Sequence, residues 1–576
     1  MRRWLLAALV AVMTVGCAEE LVLTSMKIEP GVATIWQDET VTLEVRYLDQ
    51  DGGTMEAPAG GVEWSTSPVT VMSVKDGVVV PVRHGNGVVT VSAVGGDGEE
   101  IEATAAVEIT QVHTLDVVAY ITQVNQHPHE PIPLVAGRSG MFRMHAVADD
   151  PSRYPAPEAR VRLWNGSRTI VDTILQQATR QILLEVDQST YDNSYNLEVE
   201  GVDVSDGLMA SVIIDPDDKE RAVKGSDTIT FEVLDLDVQN QMLVPVIESA
   251  HPNRAVERWV SNNAGEGDMG NRTMTILPVM EQNVVAHAPY ETDLNWSEGS
   301  VFAKWTGLLR ELDALRRQEE KLDHYYYGAI RPSNSGGIGG IAFNIGHPVS
   351  CGQDNTEIYM HETGHSMNLF HAPCGNAGGP DPNYPNDDGY LDWWGFNPAN
   401  NQLISPERWT DFMGYCGTTW VSAYHFNRGV RFRDGRGAYL GRPESVLVVA
   451  GSVHDGVITV DPVFEAVSPR ETGGGGQYLI EGHGPRGRVL FSHRFTPHSP
   501  PDLQMGRIFS VAIPTPAALE SITVSGPEGV VAVTRDSHTP TAMLIDENGE
   551  VRAIRRNWDG SNPNNWTVRL STGLPR

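Results

Sequence analysis

The stretch His361–His371, HETGHSMNLFH, dictates more local geometry than any other part of this chain. Residues four apart share one face of an α-helix, so His361 and His365 meet at one point only if the segment is helical. His371 can return to that point only if the helix stops and the chain turns back. Asn368 stands at the turn. Such a turn asks for a positive φ, which glycine adopts freely and asparagine tolerates best among the other residues. Upstream, Asp354 is the expected N-cap, with Glu357 three places later closing a capping box. Gly364 inside the helix costs about 1 kcal/mol against alanine, which suits a close approach by a strand or a substrate.

Imidazoles arriving from a helix and from a returning segment make a ligand set for zinc. Three protein ligands leave a fourth position for water, the pattern of a catalytic site. Glu362, next to the first histidine, is placed to take the proton from that water and not to bind the metal. The bland alternative is a histidine-rich surface helix. By residue frequencies this pattern arises in about one in a thousand chains of this length.

HETGHSMNLFH resembles the zinc signature of the metzincin metallopeptidases. TDFMGYC, Thr410–Cys416, resembles their methionine turn. The resemblance implies that His361, His365 and His371 hold Zn2+, that Glu362 is the general base, and that Met413 is an apolar floor beneath the ligands. Tyr415 matches a tyrosine near the metal in some metzincins. There it would stabilise a tetrahedral oxyanion; only some branches use it, so a non-catalytic Tyr415 stays open. Asn368 replaces the family's glycine. The wider segment to Arg428 resembles exported bacterial metzincin-like lipoproteins with added β domains, and more distantly the secreted mucin-cutting peptidases.

A chain of 576 residues exceeds one core, and at about 150 residues per domain roughly four are expected. Residues 18–110 carry short alternating runs (TVTLEVRYL, VEWSTS, GVVTVSAV) and resemble a bacterial immunoglobulin-like β-sandwich. Residues 111–238 read as a second β-rich domain. Residues 239–432 change texture: MLVPVI and TMTILPV read as buried strands, and VFAKWTGLLRELDALRRQ puts Phe302, Trp305, Leu308, Leu309, Leu312 and Leu315 on one helical face. DHYYYGAI and GGIGGIAF read as further strands, the second a candidate edge on which an extended peptide pairs, its glycines equally fitting a bend. Residues 433–576 return to strands at sandwich spacing. The expected fold is therefore multidomain, an α/β (α+β) metzincin-like catalytic domain flanked by β-sandwich domains.

A formal net charge of −32 argues against nucleic acid as a partner. Residues 1–17 read as a targeting segment: Arg2 and Arg3, an apolar run, then TVGC. They resemble a lipoprotein signal with Cys17 as the lipidated residue, an ordinary secretory signal being the alternative. This implies an exported protein, anchored to a membrane of the cell envelope. Of Cys351, Cys374 and Cys416, export permits one bridge and one leftover thiol; Cys374 with Cys416 is the preferred pair. Asp381, Asp387, Asp388 and Asp392 form a weaker candidate Ca2+ loop whose spacing does not fit the twelve-residue pattern. His127 and His129 in HPHEP read as a surface turn, and His425 as a packed or surface histidine. Two functions follow as expectations: a zinc endopeptidase acting on extracellular proteins or glycoproteins, or a surface adhesin with a structural or degenerate metal site.

Overall fold

In the computed structural model, which describes residues 20–148, 156–179, 181–219, 223–265, 273–436, 442–471 and 474–575, the chain is multidomain and mostly β-sheet with few helices. Two units are distinct. The first comprises the residues through Asp116 with Ala148–Glu158 and Ile213–Ser226. Its main body is a sandwich. Val32–Trp36, Glu100–Thr110, Gly85–Val94 and Glu63–Ser67 form one sheet, and Ser25–Glu29, Glu44–Leu48 and Thr54–Met55 form another. Exposure and burial alternate along Glu100–Thr110, and Val107 and Ile109 join Met26, Ile28, Val89 and Val91 in one core. That is the period of two expected of a sheet with one face in water.

The second unit, Val117–Val147, Ala159–Val212 and Asp227–Arg576, is built on a nine-stranded sheet. Its strands are β1 (Gln239–Glu248), β2 (Gln282–Ala286), β3 (Tyr290–Thr292), β4 (His324–Ile330), β5 (Gly340–Ala342), β6 (Val349–Gly352), β7 (Thr541–Ile545), β8 (Val551–Arg555) and β9 (Thr567–Ser571). They lie in the order β5-β6-β4-β1-β3-β8-β7-β9, with β2 also paired to β1. Strands β6, β4, β1, β3 and β8 run parallel, while β5 is an antiparallel edge. The main helices are α1 (Ala255–Asn263), α2 (Val301–Gln318), α3 (Thr356–Ser366) and α4 (Ala423–Arg436).

The side-chain alternation of β1 builds both cores. Met242, Val244 and Val246 enter one with the apolar face of α2: Phe302, Trp305, Leu308, Leu309, Leu312 and Leu315. Leu243 and Ile247 enter the other with Tyr359, Met360 and Met413. A parallel strand covered on both faces reads as one continuous apolar run, which is what MLVPVI is.

Three expectations differ from what is seen. Residues 273–276 within TMTILPV are helical, with Leu277 N bonded to Thr273 O at 2.8 Å; a short apolar run does not separate a buried strand from a buried helical turn. The boundary at 238/239 is not a break in packing. Val124, Val135 and Leu236 share a core with Leu243 and Met413, and Asn125 Nδ2 donates to Ser422 O at 3.2 Å. The C-terminal sandwich, two four-stranded sheets between Pro443 and Thr534, does not extend to residue 576. Strands β7, β8 and β9 join the main sheet instead, through the parallel pairing of β3 with β8.

Candidate metal centre

Helix α3 begins one residue later than the capping pattern suggested. Asn355, in extended backbone, is the N-cap: its Oδ1 accepts from Glu357 N at 2.8 Å and Ile358 N at 3.2 Å. Asp354 instead accepts from Arg331 Nε at 2.6 Å. The helix ends where the ligand spacing demands. Asn368 takes φ +69°, Leu369 N returns to Gly364 O at 3.1 Å, and Arg428 Nε donates to Asn368 O at 2.6 Å. His371 is thereby swung back beneath α3.

The three histidines converge. His365 Nε2 and His371 Nε2 lie 3.1 Å apart, and the rings of His361 and His365 are centred 4.8 Å apart. Each Nδ1 faces a backbone carbonyl: His361 with Phe412 O at 3.0 Å, His365 with Leu369 O at 2.8 Å, His371 with Gly378 O at 2.6 Å. A carbonyl only accepts, so each Nδ1 carries the ring hydrogen and each Nε2 presents a lone pair. Three buried lone pairs then face one another, and His361 Nε2 has no hydrogen-bond partner. That arrangement is repulsive unless a cation stands between them. The donor set fits a zinc-like ion, with carbonyls orienting the ligands from behind.

Beneath the histidines, Met413 is fully buried and held by its own backbone: Met413 N donates to Asp411 Oδ1 at 2.8 Å, and Ala372 N to Met413 O at 3.1 Å. Asp411 is also 3.0 Å from Nδ1 of His425, which is fully buried and so packed, not superficial. Gly364 explains itself here. A Cβ on it would lie 2.4 Å from Met413 Sδ, so the close approach is by the methionine, not by a strand or substrate. A Cβ on Gly340 of β5 would lie 2.8 Å from Glu362 Oε1. Cys374 and Cys416 are joined in a disulfide, tying the segment after His371 to the turn at Met413, and Cys351 is free and buried.

A fourth residue arrives that no sequence pattern flagged. Asp502, from the C-terminal sandwich, places Oδ1 3.0 Å from His371 Nε2 and 3.5 Å from His361 Nε2, and Oδ2 3.4 Å from His365 Nε2. Tyr415 OH donates to the same Oδ1 at 2.5 Å and lies 3.4 Å from His371 Nε2. The only signal for Asp502 is its place in a proline-rich turn, HSPPDLQMG, which says nothing about a metal. Burial, reinforced by the neighbouring Asp502 carboxylate, pushes Glu362 far above the usual carboxylate range. Burial lowers His365 to about 4 against the pull of Asp502.

The other candidates fall away from this centre. Asp392 caps α4, accepting from Ala423 N at 2.8 Å and Tyr424 N at 2.9 Å. Asp381 accepts from Tyr424 OH at 2.8 Å, and Asp388 from Tyr390 N at 3.2 Å. Among the described residues the one group of three or more ligand-type side chains brought together is His361, His365, His371 and Asp502; the four aspartates of the candidate Ca2+ loop are not part of such a group. His127 Nδ1 accepts from Glu130 N at 2.7 Å, closing a turn against Trp393. Cys17 lies outside the described residues. No helix among those residues is long and apolar enough to cross a membrane.

A cleft of about 750 Å³ opens over the centre, lined by Gly337–Gly340, Glu362, Trp409, Phe412, Tyr415 and Asp502. Residues 317–419, from the end of α2 through the turn at Met413, match the family model Peptidase M66. The match supports a peptidase. No curated protein matches. Among solved structures, domains 4 and 5 of the S-layer protein SbsC are 13% identical, with a TM-score of 0.16 over 37% of this chain and 98% of theirs. Fibronectin(III)-like modules of Clostridium thermocellum CbhA are 14% identical, with a TM-score of 0.17 over 36% and 93%. The adhesin InvE of Yersinia pseudotuberculosis is 12% identical, with a TM-score of 0.12 over 36% and 58%. Likenesses at this level say nothing about what the chain does.

Proposed function

We propose that the chain is a zinc-dependent, metzincin-type endopeptidase. It acts on extracellular proteins or glycoproteins and is exported and lipid-anchored through Cys17. The observation that carries the reading is the convergence of three Nε2 lone pairs whose Nδ1 hydrogens are all committed to carbonyls. His361, His365 and His371 would hold the ion. When bound, zinc supplies Lewis-acid chemistry, acidifying water and polarising a carbonyl.

The chain's own residues do the rest. Once ionised, Glu362, buried beside the first ligand, takes the proton of the attacking water and returns it to the leaving amine. Its position is fixed by Gly340, which has no Cβ to displace the carboxylate. Tyr415, once released from Asp502, can donate its hydroxyl hydrogen to the developing oxyanion. The antiparallel edge β5 and the glycines leading into it line the cleft beside Glu362, where an extended peptide can pair with the free strand edge.

One observation favours a second reading. Asp502 brings the donor set to four, and closed four-ligand sites are the structural kind. Glu362→Gln separates the two. The expected outcome is retained zinc, an unchanged melting curve, and cleavage of unfolded casein or a mucin lowered about 100- to 10,000-fold. Cleavage equal to wild type would remove Glu362 as the base. Preserved function in protein carrying no zinc by elemental analysis would favour the adhesin.

A further inference from the structure

Asp502 reaches the metal centre from a loop of a different sheet, between the strands Val489–Phe495 and Arg507–Pro514. The loop is not loosely draped. His498 and Ile508 exchange two backbone hydrogen bonds of 2.9 and 2.8 Å at its base. Leu503 N closes a turn onto Pro500 O at 3.2 Å, and the Leu503 side chain is buried in the core beneath α2. With the neighbouring Leu503 anchored, the Asp502 side chain, 6% exposed, is aimed at the three histidines. With the Nδ1 hydrogens spent on carbonyls, the Tyr415 hydroxyl donates to this carboxylate. A buried carboxylate facing three lone pairs needs a cation.

The two groups that peptide hydrolysis would use are both engaged by this one side chain. Its oxygens stand within 3.0 to 3.5 Å of all three Nε2 atoms, where the fourth ligand position falls. The same Oδ1 takes the Tyr415 hydroxyl. We infer that Asp502 is a built-in blocker: it is the fourth ligand, it fills the position a water needs, and it holds Tyr415 away from substrate. The folded chain is therefore latent until the loop carrying Asp502 is displaced. The inference rests on the peptidase reading of the same site and adds its regulation.

Zinc-loaded wild type, Asp502→Asn, Leu503→Ala and the double variant Glu362→Gln/Asp502→Asn test it, with intact folding checked by circular dichroism. Two readouts do not involve activity: competition for zinc by a chromophoric chelator, and the visible spectrum of the Co2+-substituted protein. Asp502→Asn is expected to release zinc at least about tenfold more readily, to alter the cobalt bands, and to cleave unfolded casein about tenfold or more faster. Leu503→Ala, which frees the loop and keeps the carboxylate, is expected to raise cleavage in the same direction by less. Unchanged chelator competition and cobalt bands in Asp502→Asn would overturn the inference. So would altered bands with cleavage that falls, because Asp502 would then serve catalysis. Cleavage that rises in Asp502→Asn and persists in the double variant leaves the blocker standing and removes Glu362 as base, so the two readings fail separately.

Discussion

The N-terminal and C-terminal sandwiches share a strand texture and differ in what they owe the rest of the molecule. The N-terminal one closes on its own core, Leu23 to Ile109. The C-terminal one has a core of its own, around Leu447, Val449, Ile480, Val511 and Ile522, and is also fastened to α2. Arg310 Nε donates to Asp461 at 2.6 Å, Arg317 NH1 to Ser468 at 2.7 Å, and Ser510 Oγ to Asp313 at 2.6 Å. The His454 ring stacks on Phe302 at 4.3 Å. The chain then leaves that sandwich to add three strands to the main sheet, and one of its loops delivers Asp502. Alternating strands thus describe a spacer and a working part equally well. The difference lies in a few polar side chains between strands.

The contrast breaks most visibly in stability. Met543→Ala, at a 1% exposed position of β7, should cost about 2 to 5 kcal/mol and loosen zinc retention, because the main sheet carries α3. Val89→Ala, fully buried in the N-terminal sandwich, should lower a separate unfolding transition and leave zinc retention unchanged. Zinc loss that follows Val89→Ala as closely as Met543→Ala would erase the distinction; calorimetry with elemental analysis decides.

A smaller effect is expected from Gly364→Ala. Helix propensity favours alanine by about 1 kcal/mol, but the new Cβ meets Met413 Sδ at 2.4 Å and Phe412 Cε2 at 3.1 Å. Overpacking of that kind costs about 1 to 3 kcal/mol, so the melting temperature should fall by a few degrees. A rise would mean that the methionine floor yields freely.

The smallest effect is a pH slope, and it asks which unit the second β-rich region belongs to. His145, buried beside Tyr120 OH at 3.1 Å, is lowered from 6.5 to about 3, first by burial and then by Arg143. A folded-state pKa below the unfolded one means the native state refuses a proton that the unfolded chain takes up. The stabilisation is therefore complete above pH 6.5 and is lost as pH falls toward 3, with a slope of up to about 1.4 kcal/mol per pH unit. His145→Gln should flatten that slope between pH 6 and pH 4 in urea titrations of the second unit's transition. An identical slope in the variant would assign the proton elsewhere.

What could be read in advance was local. The helical face of α2, the spacing that brings the three histidines together, the turn at Asn368 and the Cys374–Cys416 pairing each depend on residues near in sequence, or on few enough candidates to compare. The cap slipped by one residue because Asp354 and Asn355 both qualify and only backbone geometry chooses. Asp502 stayed hidden because it lies 131 residues beyond His371 and belongs to a turn that any sandwich contains. The membership of β7, β8 and β9 stayed hidden for a related reason: pairing partners are chosen in space, and a strand's alternation does not name its neighbour.

Two glycines bear on how this chain can vary. Gly340 and Gly364 each sit where one added carbon would strike Glu362 or Met413. Helix α3 is thus located by atoms that are missing on two sides of it. Variation in the surrounding loops can redirect what enters the cleft, but at these two positions even a methyl group displaces the carboxylate or lifts the helix from its floor. In a library randomised over both positions and selected for activity, glycine should be the residue recovered.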